Sequence, residues 1–508
     1  MTANFSRRQF LRSAGGLTFL AFTPAGRGLF AAAAPLKPLN VPIFLALPYI
    51  QPGPNAGLLP GAEVIRLAWQ TEQRDADFVA EFGRDEDYGA KADITRTSRN
   101  YSLKKEGDSR YNYVCSFGGL ELDSEYRYRL RCNGEVVLAG YFTTRQPRGR
   151  RIRFAAFGDN SFGDVSDRAI AYQAYRAHPD FVMNTGDNVY ENGLDNEYGR
   201  YFFPVYNADE ADPRVGAPLL RSVPFYTVIA NHDVNGKDPA TKAPCADFDT
   251  DVDSLAIYTN FHFPLNGPAA LAQPTVYRGA EGVVNDFKAC AGDRFPRMAN
   301  YSYDYGDAHF LCLDSNIYTD PTDAALQQWI EADLAASDAL WKFAVFHHPA
   351  FNVGMEHYQE QQMRALCPLL EKHGVDFALS GHEHGYQRTR PLRFAPRDLA
   401  KAHALQAKDR RIPGDFTIDT EFDGEKTTKA AGIIHITTGA GGKHLYDPGY
   451  TDEPTKWLHA DDNNVAYVAQ MISDRHSLTI FDIEGAELIM RQIDEDGNEV
   501  DKIQVTKA

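Results

Sequence analysis

The chain has 508 residues and a formal net charge of −17, with 43% hydrophobic and 24% charged residues, which describes a globular protein of two or three domains with room for a large core. The charge argues against a nucleic-acid or anionic-membrane partner, because a polyanion is repelled where no basic patch intervenes and none stands out after residue 35. No run approaches the roughly 18 uninterrupted apolar residues of a membrane span, so none is expected.

In chain order, the first signal is the stretch Ser6 to Gly16, "SRRQFLRSAGG". Arg7 and Arg8, followed by Phe10, Leu11 and the mildly apolar "GLTFLAF", resemble a twin-arginine export signal, and the run Ala31 to Ala34 offers small residues for cleavage. The resemblance implies that residues 1–34 are a signal peptide and that the mature protein is exported, periplasmic or extracellular. The six cysteines, at 115, 132, 245, 290, 312 and 367, show no CxxC and no paired zinc spacing. Cys312 and Cys367 sit in apolar contexts as small hydrophobes, while Cys245 and Cys290 bracket a loop-rich stretch where an oxidising compartment would allow a disulfide.

Residues 40–145 read as all-β. In "EVIRLAWQT", Ile65, Leu67 and Trp69 alternate with polar or small residues; in "EYRYRLRC", Tyr126, Tyr128, Leu130 and Cys132 share one face and Arg127, Arg129 and Arg131 the other. Seven or so short strands over this length suggest a sandwich of immunoglobulin or fibronectin type III character. The basic, Pro- and Gly-containing Arg145 to Arg151 reads as a linker.

From residue 152 to 506 the pattern changes. "IRFAAFGD" is a strand, "SDRAIAYQAYRAH" a helix and "DFVMNTGD" a strand, an alternation that predicts βαβ units. One later helix carries Leu326, Trp329, Ile330 and Leu334 on a stripe, and another Met363, Leu366, Cys367 and Leu370; both stripes are core, and Pro368 should kink the second helix or start it late. Residues 235–300, weak in periodicity, read as an insertion or long loop rather than a domain. Strands return between Gly432 and Val505.

Ligand-type residues stand directly after the apolar strands: Asp159 after "RFAAFG", Asp187 after "FVMNTG", Asn231 and His232 after "FYTVIA", His347 and His348 after "FAVF", and His382 and His384 after "FALSG". Open α/β sheets bind ligands beyond the carboxyl ends of their strands, so these ends can converge on one crevice. Singly, each has a plainer reading, since an Asp after a strand caps a helix or forms a turn and a lone His makes a structural hydrogen bond. Five such ends together are hard to assign to chance.

The blocks "FGDNS", "GDNVY", "ANHD", "VFHHP" and "GHEH" resemble the metallophosphoesterases and, within them, the purple acid phosphatases. Most metallophosphoesterases begin with Asp-x-His; here Ser161 stands at that His, and Tyr190, three residues after Asp187, makes up the missing ligand as in the purple subfamily. The resemblance implies an α/β chain in which the type III-like β-sandwich precedes a four-layer α/β/β/α catalytic domain over residues 152–506. It also implies a binuclear metal centre, with one ion on Asp159, Tyr190, His384 and a bridging Asp187, and a second on Asn231, His347, His382 and the same Asp187. Pro349 sets the register that selects His347 over His348. His232 is placed to protonate a leaving alkoxide. His348 is a substrate-facing or structural neighbour, and His357 resembles a second-sphere His that contacts phosphate, with a solvated loop residue as the equal alternative.

The donor types agree with this independently. Two carboxylates and a phenolate suit Fe(III), and two imidazoles with an amide suit Zn, Mn or Fe(II). The expected activity is hydrolysis of phosphomonoesters, on a small phosphorylated substrate, by a metal-bridging or metal-bound hydroxide. A phosphodiesterase or nucleotide-hydrolysing enzyme would keep these ligands and differ in residues 235–300. A sandwich acting as a binding module on a degenerate catalytic domain is opposed by the complete ligand set.

Overall fold

The computed structural model describes residues 42–100, 109–234, 245–269, 276–354, 356–403, 409–446 and 465–507. The expected signal peptide lies outside them, as do residues 235–244 and 270–275 of the expected insertion.

Strict side-chain alternation builds the N-terminal part. Its antiparallel strands form two sheets, one ordered β1 (Phe44–Pro52), β2 (Glu63–Glu72), β6 (Arg110–Leu120) and β5 (Ile94–Arg99), the other β4 (Ala90–Ala92), β3 (Phe78–Gly83), β7 (Glu125–Cys132) and β8 (Glu135–Thr143). The inward set closes a core of its own in which Trp69 stacks on Tyr113 at 5.1 Å and Phe82 on Phe117 at 4.6 Å. This is the sandwich that the alternation predicts, with β7 burying Tyr126, Tyr128, Leu130 and Cys132.

Two mixed sheets follow. The first is ordered β11 (Phe225–Thr227), β10 (Phe181–Asn184), β9 (Ile152–Phe157), β23 (Ser477–Glu484), β24 (Glu487–Asp494) and β25 (Glu499–Thr506). The second is ordered β14 (Tyr301–Tyr305), β15 (Ala308–Leu313), β16 (Trp341–Phe346), β17 (Phe377–Ser380), β21 (Ile434–Thr438), β18 (Tyr386–Thr389) and β22 (Val468–Ile472). Strands β9 to β11 are mutually parallel, as are β15, β16, β17 and β21, so their carboxyl ends share one edge in each sheet. Aromatic rings bind the sheets face to face: Phe154 meets Phe310 edge-on at 5.2 Å and Phe343 at 5.4 Å, and Tyr226 stacks on Tyr303 at 3.9 Å.

Helices supply the outer layers of the expected α/β/β/α arrangement. Helix α1 (Val165–Arg176) buries Ile170, Ala171 and Ala174 in the intersheet core cluster. On the far side of the second sheet, α3 (Ala324–Ala336) and α4 (Cys367–Lys372) pack Leu326, Ile330, Leu334, Leu366 and Leu370 against Leu311, Ala344 and Ala378. Pro368 starts the last helix late: a 3-10 turn over Gln362–Leu366 precedes it, and Pro368 falls in its first turn, where its missing N–H costs nothing.

The 235–300 stretch differs from the expected loop. It contains α2 (Glu281–Ala291), with Val283, Phe287 and Cys290 buried at helical spacing, and the short parallel pair β12 (Cys245–Asp247) and β13 (Val276–Arg278). Its surrounding Pro, Gly and Asp residues hide the three-turn periodicity. Among the described residues Cys290 is a free, buried thiol; the side chain of Cys245, its expected partner, lies outside them. A hairpin of β19 (Leu392–Pro396) and β20 (Gly414–Ile418) had no sequence signal.

The expected linker is pinned. Arg145 is buried, forks onto Glu63 at 2.6 and 2.8 Å, and donates to the carbonyls of Ala56, Gly57 and Asp304. A second junction buries Arg110 against Asp195 at 3.1 Å, with side-chain exposures of 5% and 0%. Tyr49 donates its hydroxyl to the Asn260 carbonyl at 2.7 Å beside it. The sandwich is thereby fixed on the segment that runs from Asp195 into α2.

Removing Arg110 leaves Asp195 buried and uncompensated. Arg110→Ala is expected to cost about 3–5 kcal/mol in chemical denaturation, whereas the double variant Arg110→Met with Asp195→Leu recovers most of that loss; strictly additive losses would show that the two side chains do not act as a pair.

Candidate metal centre

Every ligand-type residue follows a strand whose side chains are buried on both faces, and the chain turns sharply as it leaves the sheet. Asp159, Asp187 and His382 take φ values of 57°, 50° and 68°. Residues with a Cβ seldom occupy this left-handed region, and they stay there only where the surroundings over-determine them. Buried acids do that holding. Asp167 accepts the backbone N–H groups of Ser161, Phe162, Gly163 and Asp164. Asp233 accepts those of Asn188 and Ala230, and Glu197 those of Glu191, Asn192 and Leu194. Gly381 is needed for close approach, since a Cβ there would stand 2.4 Å from Asp159 Oδ2.

The turns bring together residues far apart in the chain. The Tyr190 hydroxyl lies 3.2 Å from Asp159 Oδ1, 3.2 Å from Asp187 Oδ2 and 3.3 Å from His384 Nε2. His347 Nε2 is 3.2 Å from Asp187 Oδ2 and 3.2 Å from His382 Nδ1. Each imidazole is oriented from behind: His347 Nδ1 by the Thr185 carbonyl at 2.8 Å, His384 Nδ1 by the His444 carbonyl at 2.8 Å, and His382 Nε2 by Glu360 Oε2 at 2.9 Å. Assigning each ring proton to its rear acceptor leaves an unprotonated nitrogen on every ring directed inward. Two of them then face each other across 3.2 Å.

Cations fit this donor set. Asp159 and Asp187 are buried, and among the described residues only histidines stand within ion-pairing distance of them. Asn231 Oδ1 is buried without a hydrogen-bond partner. Opposed lone pairs, buried carboxylates and an orphaned amide oxygen are each unfavourable without a proton or a metal ion between them. Asp187, His347 and His382 form one metal-sized group, and His348, Glu360 and His382 another at the back of the same ring.

The titration behaviour shows the same conflict. Burial, reinforced by Asp187 and partly offset by His347, pushes the Asp159 carboxyl well above its ordinary range. For Asp187, burial is outweighed by His347, His232 and His382, which hold it far below. Burial and both carboxylates push the Tyr190 phenol well up. Burial alone would lower His347, but Asp187 and Asp159 raise it to about 9, whereas burial takes His384 down to about 3.

Of the proposed catalytic histidines, His232 is half-buried; its N–H donates to Asp187 Oδ1 at 2.9 Å, its Nδ1 meets the Glu191 carbonyl at 2.7 Å and its ring lies 4.5 Å from that of Tyr190. His357 is no solvated loop residue: its ring packs on His382 at 3.7 Å and its Nε2 meets the Tyr446 hydroxyl at 3.1 Å. Of the two alternatives for His348, a substrate-facing or a structural neighbour, its surroundings are those of the second. It is buried at 1% exposure behind His382, with Nδ1 on the Ser315 hydroxyl at 3.0 Å.

Sequence reasoning missed four neighbours. The Lys443 N–H donates to the Asp159 carbonyl at 2.9 Å, and its ammonium pairs with Glu191 and sits 3.5 Å from the centre of the Phe162 ring. Tyr446 stacks on His384 at 4.1 Å, and Glu360 pairs with Arg410 at 3.2 Å. "GAGGK" after the apolar β21 repeats the strand-then-loop signature and could have revealed Lys443. Glu360 and Arg410 lie in segments without periodicity and carry no such signal.

Parallel strands, sharp ligand-bearing turns and a lone-pair pocket define a metallophosphoesterase architecture, and residues 152–386 match the calcineurin-like phosphoesterase family model. The chain thus carries a calcineurin-like phosphoesterase domain. Its relatives include purple acid phosphatases: it is 26% identical to purple acid phosphatase 17 of Arabidopsis thaliana over 245 residues, covering 46% of this chain and 63% of that protein. It is also 26% identical to purple acid phosphatase 4 of that plant over 269 residues, covering 50% and 68%. The chain therefore spans just under two thirds of the first of these relatives. The structure is similar to that of a purple acid phosphatase from yellow lupin (Lupinus luteus) seeds, with a TM-score of 0.60 and 18% identity over 90% of this chain and 74% of that one, a likeness of fold.

Chelated, metal-free protein retains the conflict, and its stability carries a signature above pH 6.5. There His347 keeps its proton to about pH 9 when folded but only to 6.5 when unfolded. The folded state holds more protons in that window, so stability falls as pH rises through it. A loss on the order of 3 kcal/mol between pH 6.5 and 9 is expected in denaturant titrations, with the slope removed in His347→Gln; an equally steep fall in that variant would show that another group is responsible.

Proposed function

We propose that this chain is a hydrolase of phosphoesters, phosphomonoesters above all, that works with a pair of metal ions. The observation that carries the reading is the buried Asp159 and Asp187 pair, with no lysine or arginine against it and inward-facing imidazole nitrogens around it. Asp159, Tyr190, His384 and Asp187 would hold one ion, Fe(III) by donor type; Asn231, His347, His382 and the same Asp187 would hold a divalent partner, Zn, Mn or Fe(II). When bound, the pair supplies Lewis acidity to a phosphoryl group.

The chain's own residues supply the rest. The Glu191 carbonyl holds the His232 Nδ1 proton, so the proton that a leaving alkoxide needs is the second one, on Nε2 of the imidazolium. The Lys443 ammonium, partly shielded at 13% side-chain exposure, offers positive charge beside Tyr190 for an anionic substrate. His357, tied to Tyr446, is a donor to phosphate from the opposite side, and His348 acts as packing behind His382. Glu360 is a positioning residue: its carboxylate fixes the His382 ring proton on Nε2 and so frees Nδ1.

Asp187→Asn is expected to lower turnover of an aryl phosphomonoester by at least about a thousandfold, the size of several kcal/mol of lost charge stabilisation, and to lower metal content below two ions per chain by elemental analysis. Wild-type rates in that variant would overturn the reading. Comparing kcat/KM on matched aryl monoester and diester from pH 4 to 9 tests the substrate class, with monoester preference expected and diester preference excluding it. Glu360→Gln should weaken metal retention about 10–100-fold in competition with a chelator; unchanged retention would leave Glu360 with no part in orienting His382.

A further inference from the structure

Away from the metal centre, a cavity of about 640 Å³ opens at the sandwich sheet that contains β2, walled in part by Arg66, Lys91, Asp93, Ser116 and His262. Arg66 lies on β2 directly between Gln51 of β1 and Ser116 of β6 in the ladder, so three polar side chains form one row across the sheet. The end of that row is tied to the catalytic region, because Gln51 Oε1 accepts the His262 backbone N–H at 3.1 Å.

The cations of this row lack counter-charge. Arg66 is half-buried, and among the described residues neither its guanidinium nor the Lys91 ammonium makes a hydrogen bond or ion pair. Behind His262 stands half-buried Arg294, whose donors go to the carbonyls of Thr259, Phe261, Cys290 and Ala291 and to His262 Nε2 at 3.0 Å, with no carboxylate among them. Because His262 Nε2 accepts that bond, the ring proton sits on Nδ1, a further donor on the cavity wall. Burial, and then Arg294, lower Arg66 to about 10, so it stays cationic at neutral pH. Three cations thus meet one acid, the exposed Asp93, in a chain whose net charge is −17. Partly buried like charges are costly, and a chain rich in carboxylates places only the exposed Asp93 here to relieve them.

We propose that this cavity binds a small tetrahedral oxyanion of the phosphate or sulfate type, held by the Arg66 guanidinium, the Lys91 ammonium, the Ser116 hydroxyl and His262 Nδ1–H. A guanidinium fork matches two oxygens of such an anion, and the remaining donors reach the others. The site is separate from the metal centre and lies where the sandwich meets the segment that carries His262 and Arg294.

Equilibrium dialysis of the full, metal-loaded chain against inorganic phosphate tests this. Wild type is expected to bind one more phosphate per chain than Arg66→Gln at unchanged far-UV circular dichroism, and that phosphate to be displaced by sulfate but not by equimolar acetate. Equal stoichiometry and affinity in the two proteins would overturn the site, and equal competition by acetate would overturn the tetrahedral class. Should Arg66→Gln unfold, the exposed Lys91→Gln decides: roughly tenfold weaker binding is expected, the size of a lost hydrogen bond to a charged group, and unchanged binding would overturn the proposal.

Discussion

Opposed lone pairs at the edge of two sheets are the constraint on which this molecule turns. Three imidazoles are each oriented from behind by a carbonyl or a carboxylate, and their free nitrogens meet two buried carboxylates and a phenol. Among the described residues no lysine or arginine neutralises those carboxylates, so the fold holds a shape that its own electrostatics oppose. The strained turns at Asp159, Asp187 and His382 belong to the same balance. They are kept by buried acids that accept backbone N–H groups: Asp167 and Asp233 sit below the ligands, while the N–H of His382 goes to Asp159, a ligand itself.

The surrounding architecture can be understood as support for that pocket. Stacked aromatic rings between the sheets make a stiff base, since interiors packed this densely transmit displacement instead of absorbing it. On one flank the sandwich takes part through polar contacts. Arg110 holds Asp195, two residues before Glu197, and Glu197 collects the N–H groups of the loop that leaves Tyr190. A β-sandwich remote from the chemistry thereby bears on the loop whose Glu191 carbonyl orients His232.

Legibility followed periodicity. Strand ends were readable because a run such as "RFAAFG" or "FVMNTG" announces both the strand and the place where it stops, and one polar residue after it stands out. The layered fold was readable for the same reason, including the late start at Pro368. Helix α2 was not, because Val283, Phe287 and Cys290 are set among residues that usually mark loops. Glu360 and Arg410 were invisible because their importance lies in what they touch, and a contact between separate irregular segments leaves no mark in either one. His348 shows a different limit: the sequence left it open as a substrate-facing or a structural neighbour, because which side of the ligand a side chain occupies depends on packing that the sequence does not display.

Strand β9, which delivers Asp159, has β10 on one side and β23 on the other, and β23 begins at Ser477. The ladder that fixes the first ligand is thus completed by a strand made long after β9 itself. Until then one edge of β9 offers bare N–H and C=O groups, open to whatever strand comes first. The pocket of lone pairs therefore comes together late in synthesis relative to its own first strand, and the ribosome must make everything between β9 and β23 before an ion has a finished place to go.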